Sequence, residues 1–277
     1  MNVTEIIQAA LREDIGDGDH SALACIPETE HGEAKLLVKE KGVLAGVEIA
    51  LAVFKEVDPK LLVSVIKKDG ELICIGDIVL TVKGKSQSIL KAERLVLNIM
   101  QRMSGIATKT ASMVDLVKDT NVKLLDTRKT TPNFRVLEKM AVKIGGAENH
   151  RMGLYDMIML KDNHIDYAGG IKQAISKTKQ YLDQHKKNLK IEVEARDLDE
   201  VKQILEAGPV DRIMLDNFSF ADIKTAVTLI GNRSETEASG GITEDTLLEY
   251  ALCGVNYISI GALTHAVKSL DLSLKAV

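Results

Sequence analysis

Hydrophobic positions follow a helical spacing in two stretches of the first part of the chain. Residues 4–12 (TEIIQAALR) place apolar side chains three and four positions apart, and Thr4 stands where a helix N-cap is expected. Residues 46–59 (GVEIALAVFKEVDP) have the same spacing and end at Pro59, which cannot continue a helix. These patterns predict two amphipathic helices.

The sequence between and after these helices has strand character. From residue 33 to 84, short runs rich in Val, Leu and Ile are separated by Lys-Gly and Asp-Gly turns. Residues 88–119 then return to a helical spacing, with Gly105 as the expected point of interruption. The first part of the chain is therefore predicted to combine strands with a long closing helix.

Six short apolar runs follow, and each leads into turn residues or into a segment of helical spacing. They lie in VKLLDTR, YDMIMLKDN, KIEVEAR, DRIMLDN, ETEASGG and NYISIGA, between residues 122 and 262. Strands that alternate with helices form parallel sheets, because parallel neighbours need a crossover connection. The pattern predicts an α/β fold with a β/α-barrel arrangement in this part.

Polar or glycine residues stand at the ends of these six strands. In chain order they are Arg128, Lys161, Glu194 with Arg196, Asp216, Ser239 with Gly240 and Gly241, and Gly261. The carboxyl ends of barrel strands form one rim, and this rim carries the active site of β/α-barrel enzymes. We therefore expect these residues to converge on a single site.

Several cations belong to the same half of the predicted rim. Arg128 and Lys129 follow the first strand, NHR (149–151) adds His150 and Arg151, and KDNH adds Lys161 and His164. A basic pair in a loop can simply cap a helix or form surface ion pairs. Several converging cations repel each other in an empty site, however, and they favour a ligand with several negative charges.

Two glycine turns and two carboxylates extend this chemistry. EASGGI (237–242) and SIGALTH (259–265) place glycine turns at neighbouring strand ends, where backbone N–H groups can bind phosphate, although each could also be a plain tight turn. Glu194 and Asp216 could pair with the cations, hold Mg²⁺ or ribose hydroxyls, or stabilise positive charge on a sugar carbon. His150 and His164 lack the spacing of a transition-metal site.

Composition narrows the class of protein. The 277 residues carry a net charge of −4, and aromatic residues make up only 3% with no Trp, which argues against nucleic-acid binding. No apolar run reaches the length of a membrane span. Cys25, Cys74 and Cys253 are few, odd in number and far apart, so we expect a reduced, cytoplasmic protein.

The motifs at the strand ends closely resemble those of the quinolinate phosphoribosyltransferase family. The resemblance runs from EDIGDGD near the start to SIGALTH, and it includes DTRKTTPNFR, GGAENHRMGLYDMIMLKDNHI, IEVEA, IMLDNF and EASGGI. Asn133 and Phe134 stand where the family commonly has Gly-Leu, and Ala147 stands where a third Gly is usual. None of these departures falls on a charged position.

The resemblance implies a two-domain fold. An N-terminal α/β sandwich would span residues 1–107, with the C-terminal tail 269–277 returning to it, and an incomplete parallel β/α barrel would span 108–268. It also implies a homodimer, or a higher oligomer, in which the active sites are shared between subunits.

The implied activity is conversion of quinolinate and phosphoribosyl pyrophosphate into nicotinate mononucleotide, CO₂ and pyrophosphate, for de novo NAD biosynthesis. Mg²⁺ would accompany phosphoribosyl pyrophosphate, and no organic cofactor would be needed. Quinolinate would be bound by Arg94 from the partner subunit together with Arg128, His150, Arg151 and Lys161. The phosphoribosyl group, its phosphates and Mg²⁺ would be bound by Lys129, Glu194, Asp216, Ser239, Gly240, Gly241, Gly261 and His265. Lys129, Lys161, Glu194 and Asp216 are the expected catalytic residues, and Glu194 and Asp216 the expected Mg²⁺ ligands.

Three other readings stay open from the sequence. A related pyrophosphorylase group associated with molybdenum transport shares much of the pattern and would take another acidic substrate. A Schiff-base aldolase could use Lys161 at its strand end, but no carbonyl substrate requires Arg128 and Arg151 beside it. A non-catalytic sensor of phosphorylated metabolites would need the phosphate-binding turns without Glu194 and Asp216.

Overall fold

The computed structural model describes residues 2–277. In chain order the elements are α1 (Val3–Ile15), α2 (His20–Cys25), β1 (His31–Val38), β2 (Gly42–Val43), α3 (Val47–Val57), β3 (Leu62–Val65), β4 (Leu72–Ile73), β5 (Ile78–Lys85), α4 (Ser86–Leu116), β6 (Lys123–Leu125), α5 (Arg135–Ile144), β7 (Ile158–Leu160), α6 (Asp162–Ala168), α7 (Ile171–His185), β8 (Ile191–Ala195), α8 (Leu198–Ala207), β9 (Arg212–Asp216), α9 (Phe220–Ile230), β10 (Glu235–Ser239), α10 (Glu244–Ala251), β11 (Tyr257–Ser259), α11 (Ala262–His265) and β12 (Leu272–Ala276). None of the helices within these residues is both long and apolar enough to cross a bilayer.

The chain divides into two compact units. Of the described residues, unit 1 contains 2–112, 129–146 and 263–277, and unit 2 contains 113–128 and 147–262. The expected boundary near residue 107 follows chain order, whereas this division by packing also groups α5 and the segment after residue 262 with unit 1. The reason is close packing: a Cβ on Gly145, just after α5, would lie 2.6 Å from the carbonyl oxygen of Ala107 on α4.

Unit 1 is built around a four-stranded antiparallel sheet in the order β12-β1-β5-β3. The last strand pairs with the first, with Ala34 opposite Ala276 and Val38 opposite Leu272. Alternate residues of β1 are buried (Ala34, Leu36 and Val38), which is the period of a sheet with one face on the core. The strands expected between residues 33 and 84 are confirmed here.

The first helix begins earlier than its apolar pattern suggests. Its N-cap is Asn2, whose side chain accepts from the backbone N–H of Glu5 at 2.9 Å, while the Glu5 carboxylate accepts from the N–H of Asn2 at 2.8 Å. This reciprocal capping box satisfies two N–H groups at the helix start. The prediction that Thr4 is the N-cap was wrong, because Asn and Glu three positions apart form the stronger cap.

Helix α4 passes through Gly105 without a break. The predicted interruption was wrong because this glycine serves packing instead of a turn. A Cβ on Gly105 would lie 2.3 Å from the carbonyl oxygen of Lys268, so only glycine lets that backbone approach the helix. The helix and the C-terminal segment of unit 1 are therefore in direct backbone contact.

Unit 2 is a six-stranded, all-parallel sheet in the order β6-β11-β10-β9-β8-β7, with helices between the strands. The six apolar runs of the sequence are its six strands. All five residues of β8 are buried, as expected for a parallel strand covered on both faces. Apart from one isolated bridge, Leu125 to Glu148, the ladders within residues 2–277 leave β6 and β7 as edges, so the barrel is incomplete.

Candidate active site

The carboxyl ends of the six parallel strands meet at one edge of the unit 2 sheet. In spatial order this edge carries Arg128 after β6, Gly261 after β11, Ser239 on β10, Asp216 on β9, Glu194 on β8 and Lys161 after β7. We call these six residues the strand-end rim. Strand pairing itself sets Ser239 opposite Asp216. Six of the sequence-predicted residues of unit 2 are thus brought to the same edge.

Two guanidinium groups share one side of this edge. Asp126, fully buried just after β6, accepts from the backbone N–H of His150 at 2.8 Å and from Asn149 Nδ2 at 2.6 Å. This anchors the segment that carries Arg151 beside the end of β6. Burial and then the positive charge of Arg128 lower the pKa of Arg151, and nearby carboxylates compensate only in part. An anionic ligand would relieve that repulsion.

Lys161 and Glu194 form an ion pair across neighbouring strands. Lys161 Nζ lies 3.2 Å from Glu194 Oε2, and the lysine side chain is half-exposed while the glutamate is buried. The backbone N–H of Lys161 also donates to His164 Nδ1 at 3.0 Å, which fixes the start of α6. The backbone of Lys161 is therefore fixed, and its ammonium is bound by the Glu194 carboxylate, which a ligand can replace.

Asp216 is held beside the glycine turn that follows β10. Asn217 has a left-handed backbone (φ 57°), and its Nδ2 donates to Asp216 Oδ2 at 2.7 Å. Its backbone N–H donates to the carbonyl of Ser239 at 2.8 Å. A Cβ on Gly240 would collide with the Asn217 side chain at 2.2 Å, so only glycine fits there. The Asp216 carboxylate and the glycine turn that leads into α10 are therefore held in a fixed arrangement.

Four ionisable side chains lie buried inside the sheet. His150 Nε2 is 3.0 Å from Glu192 Oε2 and 3.4 Å from Glu237 Oε2, and both glutamates are fully buried. Arg212 Nη1 lies 2.7 Å from the same Glu237 oxygen, and its guanidinium carbon lies 3.9 Å from the ring centre of Tyr257. We call His150, Glu192, Arg212 and Glu237 the interior cluster.

The interior cluster balances two acids against two bases. Burial by itself lowers the pKa of His150, but Glu192 and Glu237 outweigh it and raise the pKa to about 9. Burial and repulsion from Glu237 raise the pKa of Glu192. The backbone N–H of Arg151 donates to His150 Nδ1 at 2.7 Å, a contact that favours the neutral ring with its proton on Nε2. The carboxylates therefore favour a protonated His150 ring, whereas the Arg151 N–H favours a neutral one.

The interior cluster also contains a possible set of metal ligands. One atom each from His150, Glu192 and Glu237 lies within 4.8 Å of the others. Arg212 already neutralises one carboxylate and the imidazole faces the other, so an added divalent cation would leave excess positive charge in a buried site. The donor set therefore fits an internally balanced charge network better than a metal site.

Three further predicted residues, Lys129, His265 and Arg94, belong to unit 1. The side chains of Lys129 and His265 are exposed, and Thr264 Oγ1 donates to the carbonyl oxygen of Lys129 at 2.8 Å, which brings the two segments together. Arg94 lies on an exposed position of α4. His150, in contrast, is buried against carboxylates, so its role in binding quinolinate stays a prediction.

Sequence reasoning missed Glu192, Glu237 and Arg212. A signal was present for the two glutamates, because IEVEA alternates charged with apolar residues and ETEAS also carries Glu at alternate positions. In a strand covered on both faces, such a period of two places the charges inside the barrel. The missed residues lie one layer below the strand-end rim.

Comparison with known proteins decides the family. Models for the N-terminal and C-terminal domains of quinolinate phosphoribosyl transferase match residues 19–104 and 106–275. The chain belongs to the quinolinate phosphoribosyltransferase family. It is 48% identical to "Quinolinate phosphoribosyltransferase [decarboxylating] 1b" of Nicotiana tabacum, over 98% of this chain and 81% of that protein.

Other members agree in sequence and in structure. The "Probable nicotinate-nucleotide pyrophosphorylase [carboxylating]" of Bacillus subtilis (strain 168) is 40% identical, over 99% of this chain and 93% of that one. The crystal structure of NadC from Streptococcus pyogenes superimposes with a TM-score of 0.93 at 41% identity, covering 99% of this chain and 97% of that chain. The likeness therefore extends over both units.

The structure also explains one departure from the quinolinate phosphoribosyltransferase pattern. Asn133 stands where the family commonly has Gly, and its backbone is left-handed with φ 61°. Asn is among the few residues other than glycine that adopt this conformation readily. The substitution therefore keeps the turn between β6 and α5.

Proposed function

We propose that this chain transfers a phosphoribosyl group to quinolinate and releases pyrophosphate and CO₂, forming nicotinate mononucleotide. The observation that carries the proposal is that Arg128 and Lys161 stand at the same edge of the sheet, with Arg151 near enough to Arg128 for its charge to help lower the pKa of Arg151. Quinolinate has two carboxylates on a pyridine ring. Two guanidinium groups and an ammonium offer the charge and the hydrogen bonds that such a dianion needs.

The phosphoribosyl half of the reaction uses the opposite charge. Cleavage of the bond between the anomeric carbon and pyrophosphate leaves positive character on the sugar, and the leaving oxygen takes the electron pair. Glu194 and Asp216, on neighbouring strands β8 and β9, are the carboxylates that we assign to stabilise this charge. Lys129 and His265 are assigned to the phosphate groups, as are Ser239, Gly240, Gly241 and Gly261.

Loss of CO₂ needs no organic cofactor in this scheme. The pyridine nitrogen of quinolinate forms the bond to the anomeric carbon and becomes cationic. When the adjacent carboxylate leaves as CO₂, its bonding electrons stay on the ring carbon, where the cationic nitrogen stabilises them until a proton is added. Arg128, Arg151 and Lys161 must hold the dianion without favouring the departing carboxylate, because equal binding of ground and transition states does not accelerate the step.

The carboxylates at the rim also fit Mg²⁺. Oxygen ligands from one or two carboxylates plus substrate phosphates are its usual environment. Glu194 and Asp216 offer such oxygens, and their present partners, Lys161 and Asn217, are side chains that can be displaced. When bound, Mg²⁺ would supply neutralisation of the pyrophosphate charge.

The same proposal includes a homodimer, or a higher oligomer, with shared active sites. Arg94 is exposed and lies on a sparsely charged stretch of α4, as suits a side chain offered to a partner subunit. We place the protein in the cytoplasm, without binding to membranes or nucleic acid. Its exposed cysteines, Cys25 and Cys74, are unpaired with each other, which fits a reducing compartment.

A direct assay tests the reaction. Purified protein is incubated with quinolinate, phosphoribosyl pyrophosphate and Mg²⁺, and released pyrophosphate and CO₂ are measured together. We expect both products in equal amounts, with none when either substrate is omitted. Pyrophosphate without CO₂, or turnover only with another acidic substrate, would contradict the assignment of quinolinate and favour the molybdenum-associated group. Trapping of an adduct on Lys161 by borohydride would favour an aldolase.

Mixing two inactive variants tests the shared site. Arg94→Ala and Lys161→Ala are combined by denaturation and refolding, so that half of the dimers are mixed. If Arg94 acts across subunits, one site of each mixed dimer regains both residues, and roughly a quarter of wild-type activity returns. If Arg94 acts within its own subunit, every site lacks one residue and no activity returns.

A further inference from the structure

A buried ion pair in unit 1 contacts the two segments that carry Lys129 and His265, the side chains that we assign to phosphate. Arg102 on α4 donates to Glu138 Oε1 on α5 through Nε at 3.0 Å and through Nη2 at 2.8 Å. Glu138 is fully buried, and the Arg102 side chain is largely buried. A buried pair of this kind is weak evidence for stability, because desolvation offsets its attraction. Stability alone therefore does not account for this ion pair.

The remaining donors of Arg102 hold the segment that carries His265. Arg102 Nη2 donates to the carbonyl of Thr264 at 2.5 Å, and Nη1 donates to the carbonyl of Val267 at 3.0 Å. These carbonyls stand on either side of His265. The planar guanidinium thus fixes the backbone before and after this residue, a geometry that a lysine ammonium cannot reproduce.

Glu138 holds the segment that carries Lys129. Its Oε2 accepts from the backbone N–H of Thr131 at 3.0 Å, and its Oε1 accepts from the Thr131 hydroxyl at 2.9 Å. Thr264, which is fully buried, donates through Oγ1 to the carbonyl oxygen of Lys129 at 2.8 Å. The backbone of Lys129 is thus tied to the segment of His265, and both segments are tied to one ion pair.

We infer that Arg102, Glu138 and Thr264 are positioning residues that hold the backbones of Lys129 and His265 in the arrangement that binds the phosphates of phosphoribosyl pyrophosphate. The inference rests on the proposed function, since it assigns a purpose to two segments whose side chains, Lys129 and His265, are expected to meet that substrate. None of the three residues needs to touch substrate. Their loss should weaken binding of the phosphorylated substrate and spare binding of quinolinate.

Two variants test the inference, and the first is expected to disturb the structure more than the second. Arg102→Lys keeps the charge but not the fork that reaches Thr264 and Val267. Thr264→Val removes one hydroxyl, with almost no change of shape, and so is expected to fold even if Arg102→Lys does not. Thr108→Val is the matched control. Thr108 lies on α4, as Arg102 does, and its hydroxyl accepts from the backbone N–H of Val43 at 2.8 Å, far in the chain from Thr131 and Thr264.

We expect each test variant to raise the KM for phosphoribosyl pyrophosphate by about tenfold, the scale of one lost hydrogen bond, and to leave the KM for quinolinate within about twofold. Thr108→Val should change neither KM while losing similar thermal stability. A rise of both KM values together, or of neither in Thr264→Val, would overturn the inference and leave the pair a structural one.

A second measurement separates this inference from the proposed function. Calorimetry with inorganic pyrophosphate measures binding in the wild type and in Thr264→Val without any turnover. An inactive wild type that binds pyrophosphate, with weaker binding in Thr264→Val, would refute the reaction and support the positioning role. An active wild type whose pyrophosphate affinity is unchanged in Thr264→Val would support the reaction and refute the positioning role. A wild type that is inactive and does not bind pyrophosphate would refute both.

Discussion

The interior cluster and the strand-end rim are both rich in charge, yet they are organised in opposite ways. In the interior cluster two carboxylates face a guanidinium and an imidazole within 3.4 Å, and all four groups are buried. At the rim, Arg128 and Arg151 repel each other, and the half-exposed Lys161 is held by Glu194.

The difference separates charges that are paired within the fold from charges that can bind a ligand. A buried charge must be neutralised within the protein, because no solvent or ligand can replace its partner. A charge at the exposed end of the sheet can instead exchange its partner in the protein for a charged group of the substrate. Changes in the interior should therefore affect stability first, and changes at the rim should affect activity first.

The largest effect on stability is expected from Glu237→Ala. Removing this carboxylate leaves Arg212 and His150 without their shared partner, and unfolding free energy should fall by about 3–5 kcal/mol. Glu235→Ala is the matched control, because Glu235 also pairs with Arg212, at 3.3 Å, but is considerably more exposed; its loss should cost less than about 1 kcal/mol. Urea denaturation measures both. Equal losses would contradict the distinction between buried and exposed charges.

Arg128→Ala should have the opposite profile. We expect kcat/KM for quinolinate to fall on the order of a hundredfold, or about 3 kcal/mol, because the dianion loses a guanidinium partner. Unfolding free energy should change by less than about 1 kcal/mol, since a like charge next to Arg151 is removed. Lys123→Ala, at the other end of β6, is the control and should be fully active. An unchanged kcat/KM in Arg128→Ala would end the assignment of the rim to quinolinate.

The protonation of His150 sharpens the description of the interior cluster. Its carboxylate neighbours raise the pKa from 6.5 to about 9. A raised pKa means that the folded protein binds the proton more tightly, so this stabilisation is complete below pH 6.5 and is lost as pH rises towards 9. Its size is at most about 3 kcal/mol. NMR titration of the ring measures the pKa of His150. A neutral ring with its proton on Nε2 at pH 7 would show that the contact with the Arg151 N–H prevails.

The smallest change is expected from Asp216→Asn. The Mg²⁺ concentration for half-maximal activity should rise about tenfold, since a neutral amide binds the cation less well than a carboxylate. Quinolinate affinity, measured by calorimetry, should stay nearly constant. A large loss of quinolinate affinity would move Asp216 to the other half of the rim.

The strand-end rim was predictable because it depends on local order. Each of Lys161, Glu194 and Asp216 ends or follows an apolar run, and parallel strands necessarily bring such ends to one edge. The interior cluster was not predicted, since Glu192 and Arg212 become neighbours only through the register of β8 and β9. The Arg102 network depends on residues as distant in the chain as positions 102 and 267.

The sequence by itself determined the six parallel strands, the polar residues at their ends and the family, because hydrophobic period and short motifs are local properties of the chain. Only the tertiary structure decided that Gly105 is a contact point instead of a break, that α5 belongs with unit 1, and that His150 faces Glu192 and Glu237. These features arise from side chains and backbones far apart in sequence, whose meeting is fixed by packing and by the need to neutralise buried charge.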